Sequence, residues 1–200
     1  MKLISFEQNG SNRIGAIENG FIYDFHSIDS NISDSMLGFL QGGEVQMNLA
    51  NKAIDGGKTS IPVDSVKLLS PVSNPPSVRD AYAFRQHVAT ARKNRGLEMI
   101  PEFDEIPIFY FTNHNAVFGP GNFPVLKRHT EKLDFELECA AIIGKGGRNI
   151  LSSEADDYIT GFMIMNDFSA RVLQMQEMKL NLGPAKGKDF GSSFGPWLVT

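Results

Sequence analysis

Acidic residues in one segment of this sequence have the spacing of a charged strand face. Residues 133–139 alternate apolar and acidic, with Asp134, Glu136 and Glu138 at every second position. Side chains two apart on a strand share a face and lie about 6.6 Å apart. The same face turns apolar beyond Glu138, at Ala140 and Ile142. Like charges at the edge of a buried region are costly unless a cation joins them. A solvated acidic edge is the alternative interpretation.

Two further carboxylates, Asp167 and Asp80, extend this pattern. Asp167 ends the apolar run of residues 161–166, where a predicted strand passes into a helix predicted over 169–180. Asp80 opens a helix predicted over 78–95, and a plain helix N-cap is its alternative role. Four oxygen ligands without a cysteine or histidine favour a hard cation over zinc, namely Mg²⁺ or Ca²⁺, with Mn²⁺ as a further candidate.

A histidine and a lysine could supply acid–base and electrostatic chemistry beside such a cation. His87 follows Asp80 by seven residues, which is two turns of the predicted helix and nearly the same face. An imidazole can deprotonate water near neutral pH, although a lone helical histidine is more often structural. Lys188 lies in the glycine-punctuated loop 183–191, which fails the phosphate-loop pattern because Asp189 stands at its Ser/Thr position. A lysine held there can stabilise a developing enolate.

Composition excludes several classes of protein. The 200 residues carry a net charge of −4 and no basic stripe, so nucleic-acid binding is unsupported. No run approaches the roughly 20 apolar residues of a membrane helix, and the amino terminus reads as a strand rather than a signal peptide. Cys139 is the single cysteine, so no intrachain disulfide can form. We therefore expect no membrane association and a cytoplasmic location.

The order of predicted elements indicates an α+β fold in two parts. Strands are predicted over 2–7, 12–17, 21–24 and 63–69, with a hairpin turn at Asn19-Gly20, and helices over 33–40 and 44–54. A proline-rich stretch, 71–76, follows. We place a small α+β domain over 1–65 and the candidate catalytic core over 66–200. Strands of the core are predicted over 106–112, 133–144 and 161–167, and another begins at Trp197.

Four segments, in order, resemble the fumarylacetoacetate hydrolase family. They are residues 80–87, 133–138, 165–171 with Gln174, and 183–190 running into Gly195-Pro196-Trp197. The resemblance extends from about residue 65 to the end of the sequence. It implies a mixed β-roll or β-barrel-like core, incomplete at the carboxyl terminus because members of the family continue well beyond Trp197.

The family resemblance also implies a cation site and a base. The cation, Mg²⁺ or Ca²⁺, would be held by Asp80, Glu136, Glu138 and Asp167. His87 would act on a water molecule as general base.

Substrate contacts are implied by the same resemblance. Lys188 and Gln174 would bind substrate and stabilise a carbanion-like leaving group. Tyr82, together with Arg92 or Arg95, would bind a substrate carboxylate.

Three positions depart from the family pattern. Asn113 stands where a substrate-contacting tyrosine is expected, which leaves the identity of the substrate open. Phe168 replaces a tryptophan and Ser192 replaces a threonine next to the cation, and both changes are conservative.

The resemblance implies hydrolysis of a C–C bond in a small β-diketo acid. Decarboxylation or tautomerisation of a 2-oxo acid on the same cation is the alternative reaction, and a non-catalytic binding module is the alternative class. A homodimer is expected from the family. Because the last strand is expected to have no sheet neighbour following it, we predict that these 200 residues alone are poorly active.

Overall fold

The first three strands form an antiparallel meander. The structure, a computed structural model, describes residues 1–57 and 61–200. Strands β1 (Lys2–Gln8), β2 (Ser11–Glu18) and β3 (Phe21–Asp24) confirm the predicted ones. Asn19 and Gly20, with φ of 51° and 83°, form the turn between β2 and β3. Positive φ at both positions is what a two-residue hairpin turn of this kind requires, so the hairpin prediction is confirmed.

Helices α1 (Phe25–Ile28), α2 (Met36–Gln41) and α3 (Gly43–Gly56) follow the meander. Phe25 and Phe39 stack at 5.4 Å between ring centroids in the main apolar core. Leu3 of β1 and Leu198 near the carboxyl end belong to the same core. The two ends of the chain are therefore packed together.

The segment predicted as a strand over 63–69 is divided in the structure. Strand β4 (Ile61–Pro62) precedes a 3₁₀ turn (Val63–Ser65), and β5 (Lys67–Leu68) follows it. Phe6 pairs with Leu68 and Glu7 with Lys67, so β5 extends the sheet of the amino-terminal strands. The domain boundary at residue 65 stays a prediction, and strand pairing crosses it.

Residues 78–95 were expected to form one helix, and this expectation is wrong. Val78–Ala81 is strand β6, and helix α4 covers Arg85–Lys93. Asp80 is therefore a strand residue and not a helix cap. The backbone of β6 pairs with strand β7 (Phe109–Thr112), in a register that joins Asp80 to Tyr110. This pairing overrides the helix propensity of the alanines around Tyr82.

The long strands of the second half are confirmed. Strand β9 (Leu133–Ile143) pairs with β10 (Ile159–Ala170), which passes directly into helix α6 (Arg171–Met178). Short helix α5 (Glu102–Glu105) and strand β8 (Val117–Phe118) precede them. Helix α7 (Ala185–Lys188) and strand β11 (Ser192–Val199) follow.

One large sheet joins both halves of the chain. Within the described residues it has nine strands, along the path β4-β3-β2-β1-β11-β10-β9, with β5 added on β1 and β8 on β11. The final strand was expected to lack a following neighbour, but β11 lies between β1 and β10 because β1 pairs with it from the amino terminus. The α+β class is confirmed. No helix of the described residues is long and apolar enough to cross a bilayer.

Candidate metal centre

Three carboxylates from three strands converge at one point. Asp80 lies on β6, Glu138 on β9 and Asp167 on β10, and one oxygen from each lies within 4.8 Å of the others. The β9–β10 register places Asp167 opposite Glu136 and Met165 opposite Glu138. Glu136, Glu138 and Asp167 therefore share a sheet face, as the alternation of β9 predicts.

Glu136, the fourth expected ligand, is engaged by two cationic side chains. Its Oε1 accepts a hydrogen bond from Arg171 Nη2 at 2.7 Å, and its Oε2 accepts one from Lys188 Nζ at 2.7 Å. Burial opposes ionisation of Glu136, but these two partners outweigh it and lower its pKa. Glu136 is therefore ionised and paired with Arg171 and Lys188, next to the three converging carboxylates.

Lys188 is the buried cation of the site. The residue is 2% exposed, and its Nζ donates to Asp167 Oδ2 at 2.5 Å. Helix α7 reaches this position because it packs closely on α6: a Cβ at Gly187 would lie 2.6 Å from Gln174 Cβ. Burial disfavours the ammonium, yet Asp167 and Glu136 raise the pKa of Lys188 above its ordinary value. Lys188 is therefore held as a charged donor.

Lys188 does not neutralise the whole cluster of converging carboxylates. Burial, with the charges of Asp80, Asp167 and Glu136, raises the pKa of Glu138 from 4.5 to about 8. Burial also raises the pKa of Asp167 to about 6, despite the opposing ion pair with Lys188. Asp167 is wholly buried. A divalent cation among these oxygens would relieve this repulsion, and an all-oxygen set suits Mg²⁺, Ca²⁺ or Mn²⁺. The residues present fit such an ion.

Tyr110 lies against the carboxylates and was missed by sequence reasoning. Its hydroxyl oxygen is 2.8 Å from Asp80 Oδ2 and 3.0 Å from Asp167 Oδ2. Burial and the two carboxylates raise the pKa of the phenol well above its usual value. The register with Asp80 would have revealed Tyr110, but that register was hidden while residues 78–95 were interpreted as a helix.

Arg171 is a second group to which the sequence assigned no role, although it lies in one of the family-like segments. Besides Glu136 it contacts Asp134, at 2.9 Å from Oδ2, and Gln174, whose Oε1 accepts from Nη1 at 3.0 Å. Arg171 is the first residue of α6, so it follows directly from the strand that carries Asp167. It links the acidic face of β9 to the predicted substrate-binding amide of Gln174.

His87 and Tyr82 are both exposed to solvent. His87 lies on α4 and lines an open groove of about 580 Å³ together with Ala83, Phe84, Arg85, Gln86 and Thr90. None of the converging carboxylates lines this groove. Tyr82 lies between β6 and α4 with 56% of its surface exposed. The structure therefore groups the carboxylates with Lys188 but leaves the expected base on an accessible surface.

The other predicted substrate contacts hydrogen-bond to the backbone. Arg92 donates to the carbonyl of Glu98, and Arg95 donates to that of Ala91 at 3.1 Å. Asn113 Nδ2 donates to the carbonyl of Asp189 at 2.8 Å, which ties the end of β7 to the loop after α7. Their substrate-binding roles stay predictions.

Comparison with known proteins places these features in a family. The model of the fumarylacetoacetate hydrolase C-terminal domain matches residues 77–200. An oxaloacetate tautomerase, fahd2, from Xenopus laevis is 28% identical over 204 residues, covering 100% of this chain and 62% of that protein. Fumarylacetoacetase from Arabidopsis thaliana is 44% identical over 91 residues, covering 44% of this chain and 19% of that protein.

Solved structures share the fold. A fumarylacetoacetate hydrolase from Exiguobacterium antarcticum matches with a TM-score of 0.69 at 29% identity, covering 100% of this chain and 66% of that one. Maleylpyruvate hydrolase from Sphingobium sp. SYK-6, in complex with manganese(II) and pyruvate, matches with a TM-score of 0.71 at 21% identity, covering 100% and 67%.

These matches confirm the predicted type of fold. The chain spans about six-tenths of the length of the first of these relatives and about two-thirds of these solved chains. The family model covers more than half of its residues, including all of the converging carboxylates. The chain belongs to the fumarylacetoacetate hydrolase family.

Proposed function

We propose that this chain forms the cation-binding core of an enzyme that cleaves a C–C bond in a small β-diketo acid by hydrolysis. The observation that carries the proposal is the convergence of Asp80, Glu138 and Asp167 within 4.8 Å, with the buried ammonium of Lys188 against Asp167. Such a cluster can hold a hard cation and a fixed positive charge side by side. Both favour the enolate form of a dicarbonyl compound.

The carboxylates would hold Mg²⁺, Ca²⁺ or Mn²⁺, with Glu136 as the proposed fourth ligand beside Asp167. A bound ion of this kind supplies Lewis-acid polarisation of the substrate carbonyl groups. Lys188 and Gln174 would donate hydrogen bonds to the oxygen on which negative charge develops. Arg171 keeps Gln174 beside this point, because its guanidinium binds both Gln174 and Glu136.

In the hydrolytic reaction, His87 takes a proton from water as the hydroxide oxygen bonds to the carbonyl carbon. The C–C bond then breaks, its electron pair stays on the enolate fragment, and the proton held by His87 is returned to that carbon. Tyr82, with Arg92 or Arg95, would bind the substrate carboxylate, and Asn113 would line the same region. Tyr82 and His87 are accessible to a small molecule, which supports this arrangement.

Tautomerisation of a 2-oxo acid on the same site is the second candidate. The oxaloacetate tautomerases from Xenopus laevis and Rattus norvegicus match 90–100% of this chain, whereas two plant fumarylacetoacetases match 36–44% of it. His87 is exposed and lines a groove that none of the converging carboxylates lines, which also favours a reaction that needs no activated water. Decarboxylation of a 2-oxo acid likewise requires the cation but no activated water.

A substrate panel separates these reactions. The 200-residue chain is incubated with each divalent cation and with an acylpyruvate or oxaloacetate, and loss of diketone or enol absorbance is followed. Under the hydrolytic proposal, His87→Ala lowers turnover of the acylpyruvate by about 100-fold or more, since general-base catalysis contributes that much. Gln86→Ala, the exposed neighbour on α4, is the matched control and should retain activity.

The outcomes are distinct. Tautomerisation that survives His87→Ala, without cleavage of any diketo acid, contradicts the hydrolytic reaction and supports the second candidate. Binding of substrate and cation without turnover of any compound, in a protein as long as the relatives, supports the non-catalytic alternative, because these 200 residues alone are expected to be poorly active. Glu138→Gln should disable both reactions, because both depend on the cation site.

A homodimer is proposed for the assembly. Its support is an apolar sheet face on β9 and β10 that is open to solvent, with Phe135, Leu137 and Ile164 more than half exposed. Exposed apolar patches of this kind often mark interfaces. The cytoplasmic location stays a prediction, since relatives named as mitochondrial are among those that match.

A further inference from the structure

Tyr110 occupies a position that packing alone does not explain. On β7 its neighbours Phe109 and Phe111 are half exposed or more, whereas Tyr110 points the other way, towards the carboxylates. Residues of a strand alternate between two faces, so the outer pair and the inner tyrosine are separated by the backbone itself. The polar end of Tyr110 is thus directed into the most acidic part of the molecule.

Tyr110 connects two sheets. It is the register partner of Asp80 in the β6–β7 pair, which fixes the two side chains side by side on one face. Its hydroxyl also contacts Asp167 of β10, in the large sheet, at 3.0 Å. Asp80 and Asp167 therefore come from different sheets, and one phenol oxygen touches both of them.

We propose that Tyr110 is a positioning residue of the cation site, whose hydroxyl sets the spacing between Asp80 and Asp167 so that both can bind one ion. The inference rests on the proposed function, since it requires that the carboxylates hold a cation. It adds a neutral group that is not itself a ligand in the expected set. Tyr110 acts through the two aspartates and does not touch substrate.

The hydroxyl of Tyr110 can position either aspartate because it is a hydrogen-bond donor. A tyrosine hydroxyl carries one proton, so it donates to one carboxylate at a time, and both Oδ2 atoms lie within hydrogen-bond distance of it. Donation to either aspartate fixes where that carboxylate lies relative to the other. Each aspartate keeps its second oxygen, Oδ1, outside this contact, so both can still bind an ion.

The expected size of the effect follows from other metal sites. Groups that hydrogen-bond to ligating carboxylates typically contribute 10–100-fold to metal affinity. Tyr110→Phe would keep the ring and its packing but remove the hydroxyl that contacts both aspartates. Tyr110→Phe is therefore a narrow test of the hydroxyl. A purely structural tyrosine would change thermal stability and leave metal affinity unchanged.

The test is a calorimetric titration of the metal-depleted 200-residue chain with Mn²⁺ and with Mg²⁺. Tyr110→Phe should weaken binding by about 10-fold. Tyr158→Phe is the matched control, because Tyr158 contacts Lys145 rather than any carboxylate of the site, and it should bind as the wild type does. Equal affinities of wild type and a folded Tyr110→Phe protein overturn the proposal while the proposed function stands.

A second measurement does not depend on whether Tyr110→Phe folds. Addition of Mn²⁺ to the wild-type chain should perturb the near-ultraviolet difference spectrum of a tyrosine, because the ion redistributes charge on both hydrogen-bond partners of Tyr110. The same perturbation should persist in Tyr158→Phe. Metal binding without any tyrosine signal overturns the role of Tyr110. Failure of the wild type to bind either ion overturns the role of Tyr110 and the proposed function together.

Discussion

The two faces of the β9–β10 strand pair reverse the ordinary relation between polarity and burial. On the face that meets β6, Glu136 and Glu138 are half-buried and Asp167 is wholly buried. On the opposite face, Phe135 is 62% exposed and Leu137 is 72% exposed. Soluble proteins usually place such residues the other way round. The strands alternate between polar and apolar residues as any half-buried strand does. Here, however, the carboxylates are buried and the apolar side chains are exposed, and both placements cost free energy.

This reversal favours binding of a cation on the acidic face and of another surface on the apolar face. Buried carboxylates are tolerated where cations neutralise them, and here Lys188 and Arg171 do so only for part of the acidic face. Exposed apolar residues in a continuous patch are tolerated where a surface covers them. The amino-terminal strands differ, since Leu3, Ile4 and Phe6 of β1 are wholly buried in apolar clusters.

Removing the buried ammonium group of Lys188 should change the free energy of unfolding more than any other substitution considered for these two faces. Lys188→Met leaves Asp167 and Glu136 without their shared partner, and breaking a buried pair in this way typically costs 3–5 kcal/mol of the free energy of unfolding. Urea denaturation in the presence of a chelator measures it. Lys186→Met, an exposed lysine of the same helix, should change that free energy by less than about 0.5 kcal/mol. Equal effects of the two substitutions would show that the acidic face does not depend on Lys188.

Charging the apolar face should affect assembly more than folding. If two copies pack through the exposed face of β9 and β10, Leu137→Glu buries a carboxylate at the interface and weakens association by about 10-fold or more. Sedimentation velocity across a concentration series measures the change. Leu180→Glu, a leucine that is 80% exposed just after α6, is the control and should leave assembly intact. A wild type that stays monomeric at every concentration contradicts the proposed interface.

The smallest of the expected effects is a dependence of stability on pH, which arises from the raised pKa values of Glu138 and Asp167. Between 4.5 and about 8, the folded protein keeps a proton on Glu138 that the unfolded chain has released. Asp167 acts in the same direction up to about 6. Stability without added cation therefore falls as pH rises through this window. Urea midpoints across the range measure the decline.

Glu138→Gln should remove the upper part of this decline, above about pH 6. A saturating divalent cation should do the same for the wild type, because it binds the ionised carboxylates. Glu154→Gln, an exposed carboxylate of a 3₁₀ turn, should retain the wild-type decline. A stability that stays level or rises over the same pH range would contradict the crowding of charge at Glu138.

The acidic strand was predictable from sequence, whereas the strand that completes the site was not. Strict alternation around Glu136 and Glu138 specifies one face of a strand, and the apolar run before Asp167 specifies a second strand. Residues 78–81 are followed by helix-forming residues, so local propensity extends the helix backwards over Asp80. The pairing that makes this segment a strand comes from β7, 30 positions away at Tyr110. Local patterns carry no information about a partner at that separation.

Ion pairing within the site was likewise beyond the sequence. The spacing of Glu136 and Glu138 does not distinguish the two glutamates, but of these two only Glu136 accepts hydrogen bonds from Lys188 and Arg171. The difference arises because α6 and α7 pack together at Gly187 and bring both cations to one end of the acidic face. The family-like segments name these residues together, but they do not show which carboxylate is held in ion pairs and which ones converge without a cation.

The measurement that tests the cation site most directly is calorimetric titration of the metal-depleted chain with Mg²⁺, Ca²⁺ and Mn²⁺. The wild type should bind one of these ions at a single site. Glu138→Gln should weaken that binding by about 100-fold or more, because it removes a proposed ligand and loss of an outer-shell partner alone typically costs 10–100-fold, and Glu154→Gln should leave it unchanged. Binding of equal strength in the wild type and in Glu138→Gln, or no binding to the wild type at all, would contradict a cation site at these carboxylates.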